Sequence, residues 1–113
     1  MELRLPKDFF MGAAMSGPQT EGAYRTGGKL ENICETCSDL SISDFNKNLG
    51  SYVGNNFYEK YEEDIKLFKS LGLDSFRTSI QWSRLMDQDQ KLNPEGADFY
   101  HKVCACAKEQ RIE

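Results

Sequence analysis

The sequence predicts an α/β fold made of successive strand–helix units with parallel strands. Two short apolar runs, Phe9 to Ser16 and Leu73 to Trp82, have the length and composition of buried strands. One strong amphipathic helical segment lies between them and another follows the second. Each run also delivers polar groups where a strand should end: Gln19 and Glu21 after the first, Arg77 to Arg84 in the second. In α/β folds, function collects at the carboxyl ends of the strands.

Leu3 to Phe10 reads as an extended entry segment, because Pro6 rules out a regular helix there. Gly17-Pro18 breaks the first strand, and Gly22 and Gly27-Gly28 mark a loop. Lys29 to Gly54 is a mixed stretch, read as a long excursion with a helical turn, and loops of that length are often functional. Asn55 to Leu71 is the clearest helix. Phe57, Tyr58, Tyr61, Ile65, Phe68 and Leu71 fall at the three- and four-residue spacing of one buried face. Glu62 and Lys66 form a favourable i, i+4 pair, Asn55 or Asn56 caps the start and Gly72 ends it.

In the second strand Phe76, Thr78 and Ile80 alternate with Arg77, Ser79 and Gln81. Asp87 to Leu92 is a polar loop. Asn93-Pro94-Glu95 then starts a helix with a cap, a proline in the first turn and an acid near the positive dipole end. Phe99, Tyr100, Val103 and Ala107 give that helix its apolar face, and Ile112-Glu113 opens the next strand.

Composition excludes several classes. Fourteen Lys and Arg against 18 Asp and Glu give a net charge of −4 with the signs interspersed, so no basic patch argues for nucleic acid. Glu2, Arg4, Lys7 and Asp8 precede no uninterrupted apolar stretch, so neither a secretory signal nor a membrane span is expected, and the default is a cytoplasmic protein. Cys34-Glu-Thr-Cys37 has the spacing of redox and zinc sites. Cys104 and Cys106 sit two apart on a helix, about 200° around its axis, so the two pairs are poorly suited to a shared metal. Reduced thiols without a role are the preferred reading.

The candidate functional residues each carry a structural alternative. His101, the single histidine, lies on the second helix and reads as surface or packing. Arg77 interrupts an apolar strand; it is an edge residue facing solvent, half of a core ion pair, or a functional cation. Glu21 has the chemistry of a general acid or of an ion-pair partner holding its loop, and the structural role is preferred. Gln19 offers donor and acceptor together, which suits adjacent hydroxyls of a sugar. Trp82 could stack on a sugar but is expected to pack between sheet and helices. Arg84 is expected to make structural salt bridges.

Taken in order, Pro6-Lys-Asp-Phe9, Gly12-Ala-Ala14, Gln19-Thr-Glu-Gly-Ala23, Tyr61-Glu-Glu-Asp-Ile65, Phe76-Arg77, Ser79-Ile80, Trp82-Ser-Arg84, Asn93-Pro-Glu-Gly96 and Phe99-Tyr100 resemble the amino-terminal part of glycoside hydrolase family 1 over nearly the whole chain. Gly17 to Gly22 and Thr78 to Leu85 look most like its bacterial 6-phospho-β-glucosidase branch. The resemblance implies a (β/α)8 barrel of which residues 1–113 form the first two β-α units, an amino-terminal fragment of a single glycosidase domain. It implies a hydrolase of β-glucosides, 6-phosphorylated ones, working without cofactor or metal. Gln19 would bind the sugar at the cleaved position, and Arg77 would lie beside the nucleophilic glutamate and keep it ionised.

Family members are retaining enzymes, using two glutamates about 5 Å apart and a covalent glycosyl-enzyme intermediate. Both glutamates belong to later strands, in Asn-Glu-Pro and Glu-Asn-Gly contexts absent from this sequence, so no catalytic residue is expected within it and it should be inactive alone. The sequence also departs from the family pattern: Cys34 and Cys37 stand where tryptophans are usual, and Arg111 where a glycine is expected. Two other functions fit less of the pattern. One is a non-catalytic sugar-binding or self-associating module that covers its exposed sheet edges with another copy. The other is a thiol redox or metal module at Cys34 and Cys37.

Overall fold

The computed structural model describes residues 4–39 and 50–113. Residues 40–49 of the long excursion, Leu3 of the entry segment, and Glu2 before it lie outside the described residues.

The two strands are β1 (Gly12–Ala14) and β2 (Ser75–Arg77), paired in parallel with Gly12 opposite Ser75, Ala13 opposite Phe76 and Ala14 opposite Arg77. After β1 come a helical turn α1 (Gly17–Thr20), a 3-10 turn (Thr26–Gly28), α2 (Ile33–Asp39) and α3 (Gly50–Val53). The long helix α4 (Phe57–Ser70) returns the chain to β2, and a short turn α5 (Trp82–Leu85) and the long helix α6 (Pro94–Glu109) follow. This is the order of the first two β-α units of a (β/α)8 barrel. Beyond α6, Glu113 lies along β2: its N–H donates to the Asp74 carbonyl at 2.9 Å and its carbonyl accepts from the Phe76 N–H at 3.0 Å. That is the pairing a third parallel strand needs.

Both expected strands are shorter than their apolar runs. Phe9, Phe10 and Met11 stand exposed before β1, and the runs end where Gly17 and Trp82 begin helical turns. Apolar composition marks what a strand can be made of; the pairing partner decides how much of it becomes strand.

The core lies where α4 and α6 cover the sheet. Phe57, Ile65, Phe99, Tyr100, Val103, Ala107 and Ile112 are buried. Tyr61 meets the Phe99 ring edge-on at 5.9 Å between centroids, and Phe68 meets Phe76 of β2 at 5.7 Å. Leu71, expected on the buried face, is 69% exposed, because the helix ends at Ser70 and Leu71 becomes its C-terminal cap.

The two long helices start differently. Asn93 caps α6 with its side chain, accepting from the Glu95 N–H at 3.2 Å, as its sequence predicts. Asn56 sits before α4 in the left-handed region, with φ 57°, and makes no side-chain cap. The carbonyl of Glu21 instead takes the Tyr58 N–H at 3.0 Å, and that of Thr20 takes the Asn55 N–H at 3.1 Å. The helix thereby docks on the chain that follows β1. Gly22 and Gly54, both at positive φ, allow this approach: a β-carbon on Gly22 would collide with the Val53 carbonyl, and one on Gly54 would press on the Gln19 and Thr20 carbonyls.

Candidate active site

Parallel strands end on the same side, so β1 and β2 deliver their following residues to one end of the sheet. The Met15 N–H still bonds the Arg77 carbonyl at 2.8 Å, and two residues on the Gly17 N–H donates to Ser79 Oγ at 2.9 Å. The α1 turn carrying Gln19 is therefore stitched to the segment leaving β2. Arg77 is the last residue of β2. Both Gln19 and Arg77 have exposed side chains.

Gln19 is already oriented. Ser16 Oγ donates to its Oε1 at 2.8 Å, occupying one acceptor position of the amide, and among the described residues nothing engages its nitrogen. One acceptor lone pair and two N–H groups remain for a ligand.

Behind this surface lies a buried polar cluster. Glu21 is 2% exposed and Arg84 not at all. Glu21 Oε2 accepts from Arg84 Nε at 2.8 Å and from Gln81 Nε2 at 2.6 Å, and its Oε1 accepts from the Tyr100 hydroxyl at 2.8 Å. Arg84 also donates from Nη2 to the Gly22 carbonyl at 3.1 Å and from Nη1 to the Thr26 carbonyl at 3.3 Å. Its guanidinium lies 4.3 Å from the centre of the Tyr58 ring and 5.6 Å from that of Phe99. The Tyr100 oxygen accepts from the Gln81 backbone N–H at 2.8 Å. Burial, and then the negative charge of Glu21, push the Tyr100 phenol well above its ordinary range. With both carboxylate oxygens engaged inside the core, Glu21 holds its loop and is not placed to hand a proton to a ligand. Arg84 is likewise structural, as expected.

The cluster extends through Gln81. Its Oε1 accepts from Asn32 Nδ2 at 2.9 Å. Asn32 caps α2, accepting the N–H groups of Cys34 and Glu35, while Glu35 accepts the Asn32 N–H at 2.8 Å in return. Lys29 Nζ completes the chain at 2.8 Å from both Glu35 oxygens, with side-chain exposures of 1% and 0%. The spacing Asn32-x-x-Glu35 was a legible capping signal that the sequence reading did not use. Gln81 and Tyr100 carried no comparable signal.

Trp82 does not pack between sheet and helices. It is 69% exposed and lines an open groove of about 430 Å³ with Leu30, Asn32, Ile80 and Met86. The reason is angular: two residues apart on a helical turn face opposite ways, so the inward Arg84 turns Trp82 outward. His101 is exposed on α6, consistent with surface placement. Cys34, Cys37, Cys104 and Cys106 form no disulfide among the described residues. Among the described residues no group of three metal-ligating side chains comes together, and no helix is long and apolar enough to cross a membrane.

Comparison with known proteins gives one answer. The model of glycosyl hydrolase family 1 matches residues 1–113. A 6-phospho-beta-glucosidase, GmuD of Bacillus subtilis, is 41% identical over 103 residues, covering 90% of this chain and 22% of that enzyme. Beta-glucosidase A of Acetivibrio thermocellus is 39% identical over 103 residues, covering 90% of this chain and 23% of its own length. The crystal structure of a beta-glucosidase from Exiguobacterium marinum superposes on 98% of the chain with a TM-score of 0.90 and 36% identity, over 25% of that structure. The chain thus spans about a quarter of the length of these relatives.

Proposed function

The chain belongs to glycosyl hydrolase family 1, and on that footing we propose that residues 1–113 supply the first two β-α units of a retaining β-glycosidase domain acting on β-glucosides that carry a 6-phosphate. The observation that carries this reading is a division of labour at one end of the sheet. Gln19 follows β1 and Arg77 ends the adjacent parallel β2, both with exposed side chains, while Glu21 and Arg84 are withdrawn into the core to hold the turns.

Gln19 binds hydroxyls of the sugar whose bond is cleaved, through its two N–H groups and remaining lone pair. Arg77 lies beside the nucleophilic glutamate, supplied by a later strand, and its charge keeps that carboxylate ionised and ready to attack. A second glutamate, also from a later strand, protonates the leaving oxygen and then activates water. This segment alone therefore does not turn substrate over, and by itself it self-associates through its open sheet edges. The 6-phosphate is supported by the likeness to GmuD and by the sequence around Gln19 and Gln81, and a cytoplasmic location accompanies it, since a charged sugar phosphate does not cross a membrane unaided.

The test is expression of the reading frame containing these residues with its continuation, assayed on 4-nitrophenyl β-D-glucoside with and without a 6-phosphate. The expected result is hydrolysis with at least about a tenfold preference in kcat/KM for the phosphorylated substrate. A folded, soluble product that cleaves neither overturns the glycosidase reading; one that prefers the unphosphorylated sugar overturns the phosphate assignment.

A further inference from the structure

Gln81 is buried, uncharged and bonded at both ends of its amide. Its nitrogen donates to Glu21, two residues beyond Gln19, and its oxygen accepts from Asn32, the cap of α2. Its methylene also presses on the turn that presents Gln19: a β-carbon on Gly17 would lie 2.5 Å from Gln81 Cγ. The two sides of the Gln19 turn are thus fixed by one side chain, at Gly17 before it and at Glu21 after it. A side chain that fills this place must donate at one end and accept at the other. An amide does so; a carboxylate would oppose Glu21, and an apolar chain would leave the Glu21 and Asn32 groups short of a partner.

We infer that Gln81 is a positioning residue for the sugar-binding amide of Gln19, tying it to the loop capped by Asn32. The inference rests on the reading of Gln19 given above. Gln81 is only 6% exposed, so its effect on hydrolysis passes through the placement of Gln19.

A double-mutant cycle in the full-length enzyme separates this from a general loss of stability. Gln81→Met should lower kcat/KM about tenfold when Gln19 is present, and by less than about twofold in a Gln19→Ala background. Equal losses in both backgrounds would overturn the inference. If Gln19→Ala alone leaves kcat/KM unchanged, the sugar-binding reading fails and takes this inference with it, so the two failures are distinguishable.

Gln81→Glu keeps the shape and serves if the methionine variant does not fold. A proton shared between the introduced carboxyl and Glu21 replaces the amide N–H at low pH, so activity should lie within about threefold of the parent there and fall away as the pH rises and that proton leaves. The charged and titratable groups facing this pair are Arg84, Tyr100 and, beyond Asn32, Glu35 with Lys29. A pH profile parallel to that of the parent enzyme would overturn the inference.

Discussion

Glu21 and Arg84 lie 63 positions apart in the chain and 2.8 Å apart in the fold, Oε2 to Nε, with almost none of either side chain in contact with solvent. One residue follows β1 and the other follows β2. Their pairing makes the two turns at the carboxyl ends of the strands a single rigid body, and what each turn presents to a ligand is held by what both have buried.

Glu21→Gln should therefore be costly despite its similar size. It leaves the Arg84 guanidinium buried without an opposite charge, and breaking such a pair costs about 3–5 kcal/mol. The double change Glu21→Leu with Arg84→Met removes both charges and should cost clearly less than the sum of the single changes. Urea denaturation of the full-length enzyme and its variants checks this; additive costs would mean that the pair is not coupled.

Tyr100 gives the fold an alkaline weakness. Its folded phenol is held above the ordinary value of 10.0, first by burial and then by Glu21. Above that ordinary value the unfolded chain releases the proton and the folded chain does not, so stability complete below it declines as the pH rises further. Tyr100→Phe should remove this dependence while costing about 1–3 kcal/mol at neutral pH, because the Gln81 N–H and Glu21 Oε1 each lose a partner. Thermal midpoints of parent and variant between pH 8 and about 11 provide the measurement; parallel curves would count against it.

Gln19→Ala and Arg77→Ala should both damage catalysis in the full-length enzyme, by different routes. On the proposed reading, in which Gln19 bonds to sugar hydroxyls more strongly as the ring flattens in the transition state, its loss should lower kcat/KM by roughly one to three powers of ten. On the proposed placement of Arg77 beside the nucleophile, Arg77→Ala removes the charge that favours its ionised form and should move the acidic limb of the pH–rate profile to higher pH. An unmoved limb with near-normal kcat would make Arg77 a packing residue.

Expressed by itself, the 113-residue chain should associate or form a loosely packed state that binds a hydrophobic dye, and should show no hydrolysis. Phe9, Phe10, Met11, Ile80 and Trp82 are all about half exposed or more, around two strands of three residues each. A monodisperse monomer with a sharp melt would contradict this.

The helices were the most legible part of the sequence. The spacing from Phe57 to Phe68 and from Phe99 to Ala107 marks faces that the structure largely buries, and Asn93-Pro94-Glu95 begins a helix where it should. Local rules suffice there because the spacing, the cap and the proline all act within a turn or two. The strands were over-read because pairing is not local. The roles of Glu21 and Arg84 as structural charges could be anticipated from the difficulty of burying either alone. Their other partners could not: Gln81 and Tyr100 reach Glu21 across separations of 60 and 79 residues, and neither residue type announces such a contact.

One close approach behind the site is made by main chain. Where Gly22 meets the Val53 carbonyl, and Gly54 meets the carbonyls of Gln19 and Thr20, no side-chain identity enters the contact. The close approach of the chain around position 54 to the turn that carries Gln19 is thus strict at two letters, Gly22 and Gly54. Saturation mutagenesis should find positions 22 and 54 intolerant of any side chain, because a β-carbon at either meets main-chain carbonyl groups.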